Sequence, residues 1–453
     1  MLKRISLYFL FMLGVWTIQA QEDRWQENNA DFSRGALRVN SSGSYLEYGD
    51  GTSFLYLGDT AWELISRLTD EETEYYMEDR REKGVTVIQT VILDELNGID
   101  NITACGYRQY INGDINRPDS NYFARVDRVL ACAASKGLYV ALLPTWGDKV
   151  DKKWGMGPEI FNEENAFHYG QWLDARYVSV PNLIWIIGGD RSGEGNKSRI
   201  WNALANGIRS IDRGHLMTFH PHGEHSSSFW FHDEEWLSFN MIQTGHAQRN
   251  YAIYRKLLLP DLQKKTHKPC MDGESRYEGI PIGFKVENGR FNDYDIRTTL
   301  YQSMFSGACG YTYGCNNVWQ MFDYKHTPMC NANKPWNESL NEPGAWDLIH
   351  FRRLWEKYDF REGSQQQNVI CNSQMSDDNY PVAFGNHKYL LVYLPEGGKI
   401  TLRISQMDKK QKTLSWMNPR TGENSFYKKV DLREFSAYAP SMGKGNDWVL
   451  IIE

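Results

Sequence analysis

Short apolar runs alternate with amphipathic stretches along the first 360 residues of the chain. The clearest run, residues 182–190 (N-L-I-W-I-I-G-G-D), is continuous and rich in β-branched residues, which is typical of a strand buried on both faces of a parallel sheet. Seven other runs are similarly short and end in turn-forming or polar residues. The eight predicted strands are residues 54–57, 85–93, 138–143, 182–190, 216–219, 239–243, 268–271 and 310–313.

Helical patterns separate most of these strands. Thr69 and Glu72 have the spacing of a capping box at the start of the first helix, and Gly84 is its stop signal. Pro260 predicts a kink or break in a helix over 251–266. Further helices are predicted at 121–136, 162–178, 198–212, 293–308 and 343–358. Strands that alternate with helices favour an α/β fold, and eight repeats favour a closed (β/α)8, or TIM, barrel.

The pattern changes after residue 360. From Val369 to Glu453 the runs are short, apolar and polar positions alternate, and turn signals such as Glu396-Gly397-Gly398 lie between them. This pattern is typical of antiparallel strands. We therefore predict a barrel with an N-terminal lead-in over residues 21–360, followed by a small antiparallel β-sandwich over residues 361–453.

The first 20 residues have the three parts of a secretory signal. Lys3 and Arg4 precede an apolar segment, residues 5–18, and Ile18-Gln19-Ala20 has the small residue of a cleavage site. The alternative is a membrane anchor, but the apolar run is short for a membrane span and ends in a polar stretch. The sequence predicts cleavage after residue 20, no membrane span in the mature chain, and a secreted protein of the periplasm or cell surface.

Composition narrows the choice of partners. With 41% hydrophobic and 24% charged residues, the chain is typical of soluble globular proteins. Its formal net charge of -7 provides no basic field for nucleic acid. The 16 Trp and 26 Tyr are unusual, and sugar-binding clefts use such rings as stacking surfaces, although large cores also contain them. The 7 Cys are sparse for a disulfide scaffold and form no CxxC pair.

Polar and aromatic residues recur where the predicted strands end. In a closed barrel the carboxyl ends of all strands form one ring, so residues far apart in sequence converge on one cavity. We therefore treat these residues as candidates for a site that takes an oligosaccharide or polysaccharide. In chain order the candidates are Asp59, Trp62, Glu95, Trp146, Asp190, His220, His222, Gln243, His246, Glu274 and Trp319.

Two of these candidates, Asp190 and Glu274, are carboxylates that can flank one glycosidic bond. In glycoside cleavage one carboxylic acid protonates the leaving oxygen, and an ionised carboxylate attacks the anomeric carbon or stabilises its developing charge. A separation of about 5–5.5 Å indicates retention through a covalent intermediate, and a larger one indicates inversion. Carboxyls this close push their pKa values apart, which assigns the roles. Asp272 is the rival to Glu274 on the same strand, but its side chain should point differently.

Several other candidates also fit a structural role. Asp59 and Trp62 are either a helix cap and a core ring, or a contact to a sugar hydroxyl and a stacking face. Trp146 and Trp319 fit a place in the core and a place in a sugar subsite equally well. Glu95 is either a third carboxylate of the pocket or a buried salt-bridge partner, and the sequence does not choose between them.

The histidines raise the question of a metal site. His220, His222 and His225 could share a strand face, as zinc ligands do. No matching set of Asp, His or Cys accompanies them, and neutral His that bonds sugar hydroxyls explains them equally well. We predict no metal and no cofactor, with His246 and Gln243 as further donors to the substrate.

Five short motifs occur in an order that is similar to one known family. They are G-D-T-A-W at 58–62, W-I-I-G-G-D at 185–190, F-H-P-H-G at 219–223, Q-T-G-H at 243–246 and D-G-E at 272–274. Together they resemble glycoside hydrolase family 140, apiosidase-like enzymes with a clan-A-type barrel. S-W-M-N-P-R-T-G-E at 415–423 resembles the β domain that follows the barrel in that family. The resemblance covers nearly the whole mature chain.

The resemblance implies that Asp190 is the acid/base and Glu274 the nucleophile. In the wider clan the acid/base is usually a Glu preceded by Asn, whereas here Gly189 precedes an Asp, so this assignment follows from the family and not from the clan. The family cleaves apiose, a branched furanose, from side chains of rhamnogalacturonan II in pectin.

We therefore expect a secreted, cofactor-free, retaining glycoside hydrolase that acts on plant cell-wall pectin and releases apiose. One alternative is another glycosidase on the same scaffold, such as an arabinofuranosidase or a galactosidase. A second is a carbohydrate-binding barrel without catalysis, although the presence of both carboxylates speaks against it. The sequence leaves the oligomeric state open.

Overall fold

The computed structural model describes residues 24–453 apart from positions 28, 97, 98, 100, 101, 212, 213, 248, 250, 372–375 and 406. The predicted signal peptide, residues 1–20, lies outside the described residues. Within the described part of the chain, no helix combines the length and the apolar character needed to cross a membrane.

A small antiparallel sheet precedes the barrel. Its strands are β1 (Arg38–Val39), β2 (Leu46–Glu47) and β3 (Ser53–Phe54). The ring of Phe54 packs edge-on against Tyr139, the first residue of a barrel strand, with 5.1 Å between ring centroids. The lead-in therefore lies at the N-terminal end of the barrel, away from the strand ends that carry the candidate residues.

The central sheet forms the barrel. Its strands are β4 (Tyr56–Thr60), β5 (Val87–Leu93), β6 (Tyr139–Thr145), β7 (Leu183–Gly188), β8 (Met217–His220), β9 (His225–Ser226), β10 (Asn240–Gln243), β11 (Cys270–Glu274) and β12 (Gly310–Tyr313). The sheet order is β8-β7-β6-β5-β4-β12-β11-β10-β9. All of these strands except the short β9, which is antiparallel to β10, form the parallel wall.

The barrel closes between β8 and β10. The amide of Ser238 donates to the carbonyl of Met217 at 2.7 Å, and the hydroxyl of Thr218 donates to the carbonyl of Phe239 at 2.7 Å. These bonds replace a regular ladder at the seam between the two strands. The predicted (β/α)8 barrel is confirmed.

Helices cover the outside of the barrel. Thr69 and Glu72 form the predicted capping box, with each side chain bonded to the other residue's amide at 3.2 and 2.9 Å. The helices are α1 (Leu64–Arg67), α2 (Asp70–Glu82), α3 (Ser120–Ser135), α4 (Glu163–Tyr177), α5 (Asn196–Ile208), α6 (Ser228–Phe231), α7 (Ala252–Lys256), α8 (Leu258–Leu262), α9 (Asp293–Phe305), α10 (Asn316–Trp319), α11 (Trp336–Ser339) and α12 (Pro343–Lys357).

The break predicted at Pro260 lies elsewhere. Leu257, with φ -110° and ψ -60°, separates α7 from α8, and Pro260 lies inside α8. A proline is tolerated in the first turn of a helix, because the amides of that turn have no intrahelical acceptor. The helix therefore ends before the proline and restarts around it.

A second domain follows the barrel, as predicted. Its strands are β13 (Ser364–Gln365), β14 (Val382–Gly385), β15 (Leu390–Leu394), β16 (Gly397–Arg403), β17 (Lys412–Met417), β18 (Asn424–Val430), β19 (Glu434–Met442) and β20 (Trp448–Ile452). Six of them form an antiparallel sheet in the order β13-β14-β15-β20-β17-β18, and β16 pairs with β19. The two sheets enclose a common core that includes Val392, Ile400, Leu414 and Leu450.

A buried charge cluster joins the two domains. Arg297 of α9 is bidentate to Asp447 at 3.0 and 3.1 Å, and its Nη1 also reaches Asp293 at 2.7 Å and Asp347 at 2.6 Å. Beside it, the rings of Tyr301 and Tyr393 stack at 4.9 Å. The β domain is therefore packed against the barrel through buried contacts.

Replacing Arg297 with Met should destabilise the protein strongly. The change leaves up to three acidic groups without their shared cation, and breaking a buried pair costs about 3–5 kcal/mol. Urea unfolding measures the free energy. The matched control is Arg403→Met, since Arg403 pairs with Glu434 on the exposed surface at 2.8 Å and such pairs contribute less than about 1 kcal/mol. Equal losses in the two variants would contradict a structural role for the buried cluster.

Candidate active site

The carboxyl ends of the barrel strands enclose one aromatic pocket. The rings of Trp62 and Trp146 lie 5.1 Å apart, and they lie 5.4 and 5.8 Å from the ring of His220. The indole N–H of Trp62 donates to the hydroxyl of Tyr277 at 3.2 Å. Residues that follow β4, β6, β8 and β11 therefore meet at one end of the barrel, around the imidazole of His220.

A β-bulge turns Glu274 into this pocket. Gln243 pairs with Glu274, whereas the preceding residue of β10 pairs with Asp272, so Gly273 is an extra residue in β11. The bulge reverses the direction that strict alternation would give to Glu274. A Cβ at Gly273 would lie 2.4 Å from the sulfur of Met241. A larger residue at this position would therefore displace the buried side chain of Met241, and the extra residue in D-G-E directs the side chain of its glutamate.

Asp272, the rival carboxylate, faces away from the pocket. It is fully buried and accepts hydrogen bonds from the hydroxyls of Thr244 at 2.8 Å and Tyr254 at 3.1 Å, the latter on α7. Burial raises its pKa to about 6. Asp272 thus anchors the outside of the barrel, in a different direction from Glu274, as the sequence predicts.

A left-handed turn presents Asp190 at the end of β7. Gly188, Gly189 and Asp190 have φ values of 94°, 120° and 56°. A Cβ at Gly188 would lie 2.7 Å from the carbonyl oxygen of His220, and one at Gly189 would lie 2.9 Å from the amide nitrogen of Gly147. Both positions therefore require glycine, whereas Asp is among the few other residues that tolerate the left-handed region.

Two histidines hold Glu274 between them. The amide of Asp190 donates to Nδ1 of His220 at 3.3 Å, and the amide of Tyr277 donates to Nδ1 of His246 at 3.4 Å. These bonds assign the neutral rings to the tautomer with hydrogen on Nε2. Nε2 of His246 then donates to Oε1 of Glu274 at 3.0 Å. Nε2 of His220 lies 3.1 Å from Oε2, although its N–H is poorly aligned with that oxygen.

The two catalytic candidates have opposite pKa shifts. Burial alone would raise the pKa of Glu274, but the contacts with His220 and His246 outweigh it and hold the pKa at about 2. Burial, assisted by the charge of Glu274, raises the pKa of Asp190 to about 6, although His220 and Arg191 oppose the rise. Near pH 5, Glu274 is therefore ionised while Asp190 keeps its proton, which is the division of roles that glycoside cleavage needs.

Glu95 supplies a third carboxyl group near Asp190. Arg191 lies between them, with its Nη1 at 3.6 Å from Oδ2 of Asp190 and its Nη2 at 3.9 Å from Oε1 of Glu95. Burial, followed by the charge of Asp190, raises the pKa of Glu95 to about 8. Glu95 thus lies near Asp190 and at the edge of ion-pair distance from a buried arginine, and substrate contact by Glu95 stays a prediction.

Glu95→Gln should stabilise the protein at pH 8 but not at pH 4. Between the unfolded pKa of about 4.3 and the folded value of about 8, the unfolded chain releases a proton that the native state keeps, so native stability falls as pH rises. Removing this group should raise the unfolding free energy at pH 8 by about 2–4 kcal/mol. Urea titrations at both pH values measure it. Exposed Glu71→Gln is the control, with changes below about 0.5 kcal/mol, and a Glu95→Gln variant no more stable at pH 8 would contradict the raised pKa.

The prediction that Asp59 contacts the substrate is wrong. Asp59 is 0% exposed, and its carboxylate accepts hydrogen bonds from Tyr76 and, at 2.7 Å, from Nε of Arg80, both on α2. The alternation of side chains along β4 turns Asp59 outward to that helix. It therefore fixes α2 to the barrel, and burial raises its pKa.

Two other candidates lie farther from the carboxylates. The ring of His222 packs against His225 with 3.7 Å between centroids, and burial, together with His225 and Lys153, lowers the pKa of His222 to about 4. Trp319 is buried in the same apolar cluster as the other two pocket tryptophans, and its indole donates to Asn316 at 3.2 Å. Substrate contact by His222 or Trp319 stays a prediction.

Sequence reasoning missed three residues of the site. Arg191 is fully buried beside both Asp190 and Glu95. Trp154 donates its indole N–H to Oδ2 of Asp190 at 3.1 Å. Tyr277 bonds Trp62, and the charge of Glu274 adds to the burial that raises its pKa. Tyr277 follows the D-G-E motif by three residues, which is the one signal that could have drawn attention to it.

Metal ligands do not gather in the part of the chain that the structure describes, where no group of three or more His, Cys, Asp or Glu side chains is arranged to hold an ion. The seven cysteines are all free thiols. Cys270 and Cys309 are buried in the core.

Comparison with known proteins agrees with this geometry. Residues 40–362 match the family described as "Apiosidase-like, catalytic domain", and residues 365–453 match "Putative collagen-binding domain of a collagenase". Comparison with curated protein sequences gives no match.

Two solved structures are similar over nearly their whole length. A glycoside hydrolase family 5 protein from Bacteroides vulgatus is 32% identical, covers 94% of this chain and 95% of its own, and superposes with a TM-score of 0.88. A second structure, described as a glycoside hydrolase, is also 32% identical, with 94% and 98% coverage and a TM-score of 0.86. With a family match that spans more than half of its length, this chain belongs to the apiosidase-like family and is a glycoside hydrolase.

Proposed function

We propose that this protein is a secreted, retaining glycoside hydrolase of family 140 that releases apiose from rhamnogalacturonan II side chains in pectin. Asp190 is its acid/base and Glu274 is its nucleophile. The periplasm or the cell surface is its place of action, in keeping with the signal-like N-terminus.

One observation supports this assignment above all others. The main-chain amide of Asp190 and a carboxylate oxygen of Glu274 contact opposite nitrogens of the same imidazole, that of His220. The pKa values of the two carboxyl groups nevertheless move apart, to about 6 and about 2. A protonated acid and an ionised carboxylate within one pocket are the two groups that glycoside cleavage needs, and the choice of retention follows the family resemblance.

The first half of the reaction transfers the sugar to the enzyme. A carboxylate oxygen of Glu274 attacks the anomeric carbon, and the bond from that carbon to the leaving oxygen breaks. Asp190 gives its proton to the leaving oxygen, so the leaving group departs as a neutral alcohol. The product of this step is a glycosyl ester on Glu274 and an ionised Asp190.

The second half releases the sugar. Ionised Asp190 takes a proton from a water molecule as the water oxygen attacks the anomeric carbon. The ester bond to Glu274 breaks, and both carboxyl groups return to their starting states. Two inversions at one carbon give retention. The imidazoles of His220 and His246, whose Nε2 atoms face Glu274, stabilise the carboxylate each time it becomes charged.

The choice of sugar follows the family. The sequence motifs at the strand ends and the apiosidase-like match both favour apiose. Trp62 and Trp146 are buried in one apolar cluster beside His220 and contribute the aromatic character of the site. The β domain supports the barrel through the Arg297 cluster, whatever else it contacts.

Incubation with rhamnogalacturonan II oligosaccharides tests the proposal, with chromatography of the released monosaccharides. Apiose is the expected product, and its anomeric configuration at early times, read by NMR, should match that of the substrate. Release of arabinose or galactose in place of apiose would overturn the substrate assignment while leaving the catalytic pair intact. Binding of glycans without any released sugar would overturn the proposed hydrolysis altogether.

A further inference from the structure

Trp154 is an exposed aromatic residue in a loop that is firmly held. Its side chain is 61% exposed, although burying such a ring is normally favourable. The loop lies between β6 and α4, within the segment that enters the pocket after the third barrel strand. An ordered loop with an exposed indole at its tip has the form of a surface built for a ligand.

Two buried side chains fix the loop on either side of Trp154. The guanidinium of Arg191 donates to the carbonyl of Asp151 at 2.6 Å and to that of Lys152 at 2.9 Å. Beyond the tip, Asp148 accepts the amide of Gly157 at 2.6 Å. The position of the indole is therefore set by the same arginine that lies beside the two pocket carboxyls.

The indole of Trp154 faces the acid/base directly. Its Nε1–H donates to Oδ2 of Asp190 at 3.1 Å, and the guanidinium carbon of Arg191 lies 4.3 Å from the ring centre. The ammonium of Lys153, on a flexible exposed side chain, lies 5.4 Å from the same ring. Because an indole N–H can only donate, Oδ2 is the acceptor oxygen, and the acidic proton of Asp190 belongs on Oδ1.

We propose that Trp154 forms the subsite for the leaving group, where its indole stacks on a sugar ring of the glycan chain and its N–H directs the acid of Asp190 towards the glycosidic oxygen. This inference rests on the proposed hydrolysis by Asp190 and Glu274. It makes Trp154 a specificity residue for an oligosaccharide leaving group and a positioning residue for the acid.

Acid catalysis by Asp190 places the leaving sugar on the side of the pocket where Trp154 lies. The leaving oxygen receives its proton from Asp190, so the ring attached to that oxygen lies next to Asp190 and not beyond Glu274. Trp154 is the exposed ring that touches Asp190. A pyranose ring presents an apolar face of C–H groups, which stacks on an indole.

A second exposed ring, which lies next to His246 instead of Asp190, provides a matched control. Phe284 is 55% exposed and meets the ring of His246 edge-on at 5.8 Å, next to Glu274. Because Glu274 bonds to the transferred sugar, we expect any substrate contact of a ring beside it to be with that sugar, which is the same for all leaving groups. Phe284→Ala should therefore change the hydrolysis of different substrates to the same extent.

Two substrates with the same transferred sugar separate the roles. One is an oligosaccharide, and the other is the glycosyl fluoride of the sugar that the wild-type enzyme releases, which has no leaving ring to stack. Trp154→Ala should lower kcat/KM for the oligosaccharide about 10- to 100-fold and should change that for the fluoride less than about threefold. The thermal midpoint should stay near the wild-type value, because the ring is mostly exposed.

Trp154→Phe isolates the N–H group. The phenyl ring keeps a stacking face, so KM for the oligosaccharide should stay within about threefold of wild type. The lost donor no longer stabilises ionised Asp190, so the alkaline limb of kcat/KM for the oligosaccharide should move to higher pH by about 0.5–1 unit. A merely structural tryptophan would lower activity without moving this limb.

Equal losses on both substrates in Trp154→Ala, or no loss on either, would overturn the leaving-group subsite. If the wild-type enzyme hydrolyses neither substrate, the proposed function fails, and binding decides the present inference. In the Glu274→Gln background, adding Trp154→Ala should weaken oligosaccharide binding by calorimetry at least tenfold and leave monosaccharide binding unchanged. Unaltered oligosaccharide affinity would contradict the subsite independently of catalysis.

Discussion

Glu274→Gln is expected to lower kcat by about 10³–10⁶-fold, since an amide cannot form the glycosyl ester. The side chain keeps its shape, so the barrel should fold and bind glycan. Gln also presents an N–H₂ group where a carboxylate oxygen accepted a hydrogen bond, and this group then faces an Nε2–H of His220 or His246. The amide oxygen can keep the bond from His246, which turns the N–H₂ group towards His220, whose N–H is poorly aligned with Glu274. The measurement is kcat on an oligosaccharide, with circular dichroism to confirm the fold.

The matched control for this variant is Asp272→Asn on the same strand. Asp272 is equally buried but bonds Thr244 and Tyr254 outside the pocket. Its replacement should cost stability and leave kcat within about tenfold of wild type. If kcat falls more in Asp272→Asn than in Glu274→Gln, Asp272 and not Glu274 would be the nucleophile. That result would contradict the bulge, which directs Asp272 away from the pocket.

Asp190→Asn is expected to lower kcat/KM for an oligosaccharide by about 10²–10⁴-fold, since the variant has no proton to give to the leaving oxygen. In the wild-type enzyme, activity should be complete below about pH 6 and fall as the pH rises through that value, because the pKa of Asp190 is raised to about 6 by burial and by the charge of Glu274. The alkaline limb should be absent from the pH profile of the Asn variant.

A glycosyl fluoride distinguishes loss of the acid from loss of the fold. Fluoride leaves without protonation, so kcat/KM of Asp190→Asn for the fluoride, which reports the first step, should stay within about tenfold of wild type, whereas kcat should fall because the second step has lost its base. Glu95→Gln, in which the neighbouring carboxyl is replaced, should keep the limb near pH 6. An alkaline limb that persists in Asp190→Asn but disappears in Glu95→Gln would reassign the acid to Glu95.

The position of the site at the carboxyl ends of the barrel strands could be predicted from sequence, because it depends only on the number and order of the apolar runs. Eight apolar runs with helices between them define a barrel, and a barrel brings its carboxyl ends together. Which side of a strand a residue faces depends on finer detail. Asp59 follows the alternation of side chains along β4 and points outward to Arg80. Glu274 does not follow the alternation along β11, because the bulge at Gly273 turns its side chain into the pocket. An extra residue in one strand is visible only once its partner strand is known.

Contacts between distant loops were out of reach for the same reason. Nothing in the pattern around Trp154 indicates that its indole meets Asp190, since 36 residues separate them. The roles of His220 and His246 changed in a similar way. Sequence made them donors to a sugar, but the amides that bond their Nδ1 atoms turn their Nε2 atoms to Glu274. The role of each histidine can be assigned only when the groups next to its Nδ1 and its Nε2 are both known.

The most direct test of the catalytic pair is to trap the covalent intermediate. A 2-deoxy-2-fluoro glycoside of the released sugar, with a dinitrophenyl leaving group, slows both steps but still allows the first to proceed. Intact-mass measurement should show one added glycosyl group, and peptide mapping should place it on Glu274. A label on Asp190, Asp272 or Glu95, or turnover that inverts the anomeric centre without any label, would contradict the account.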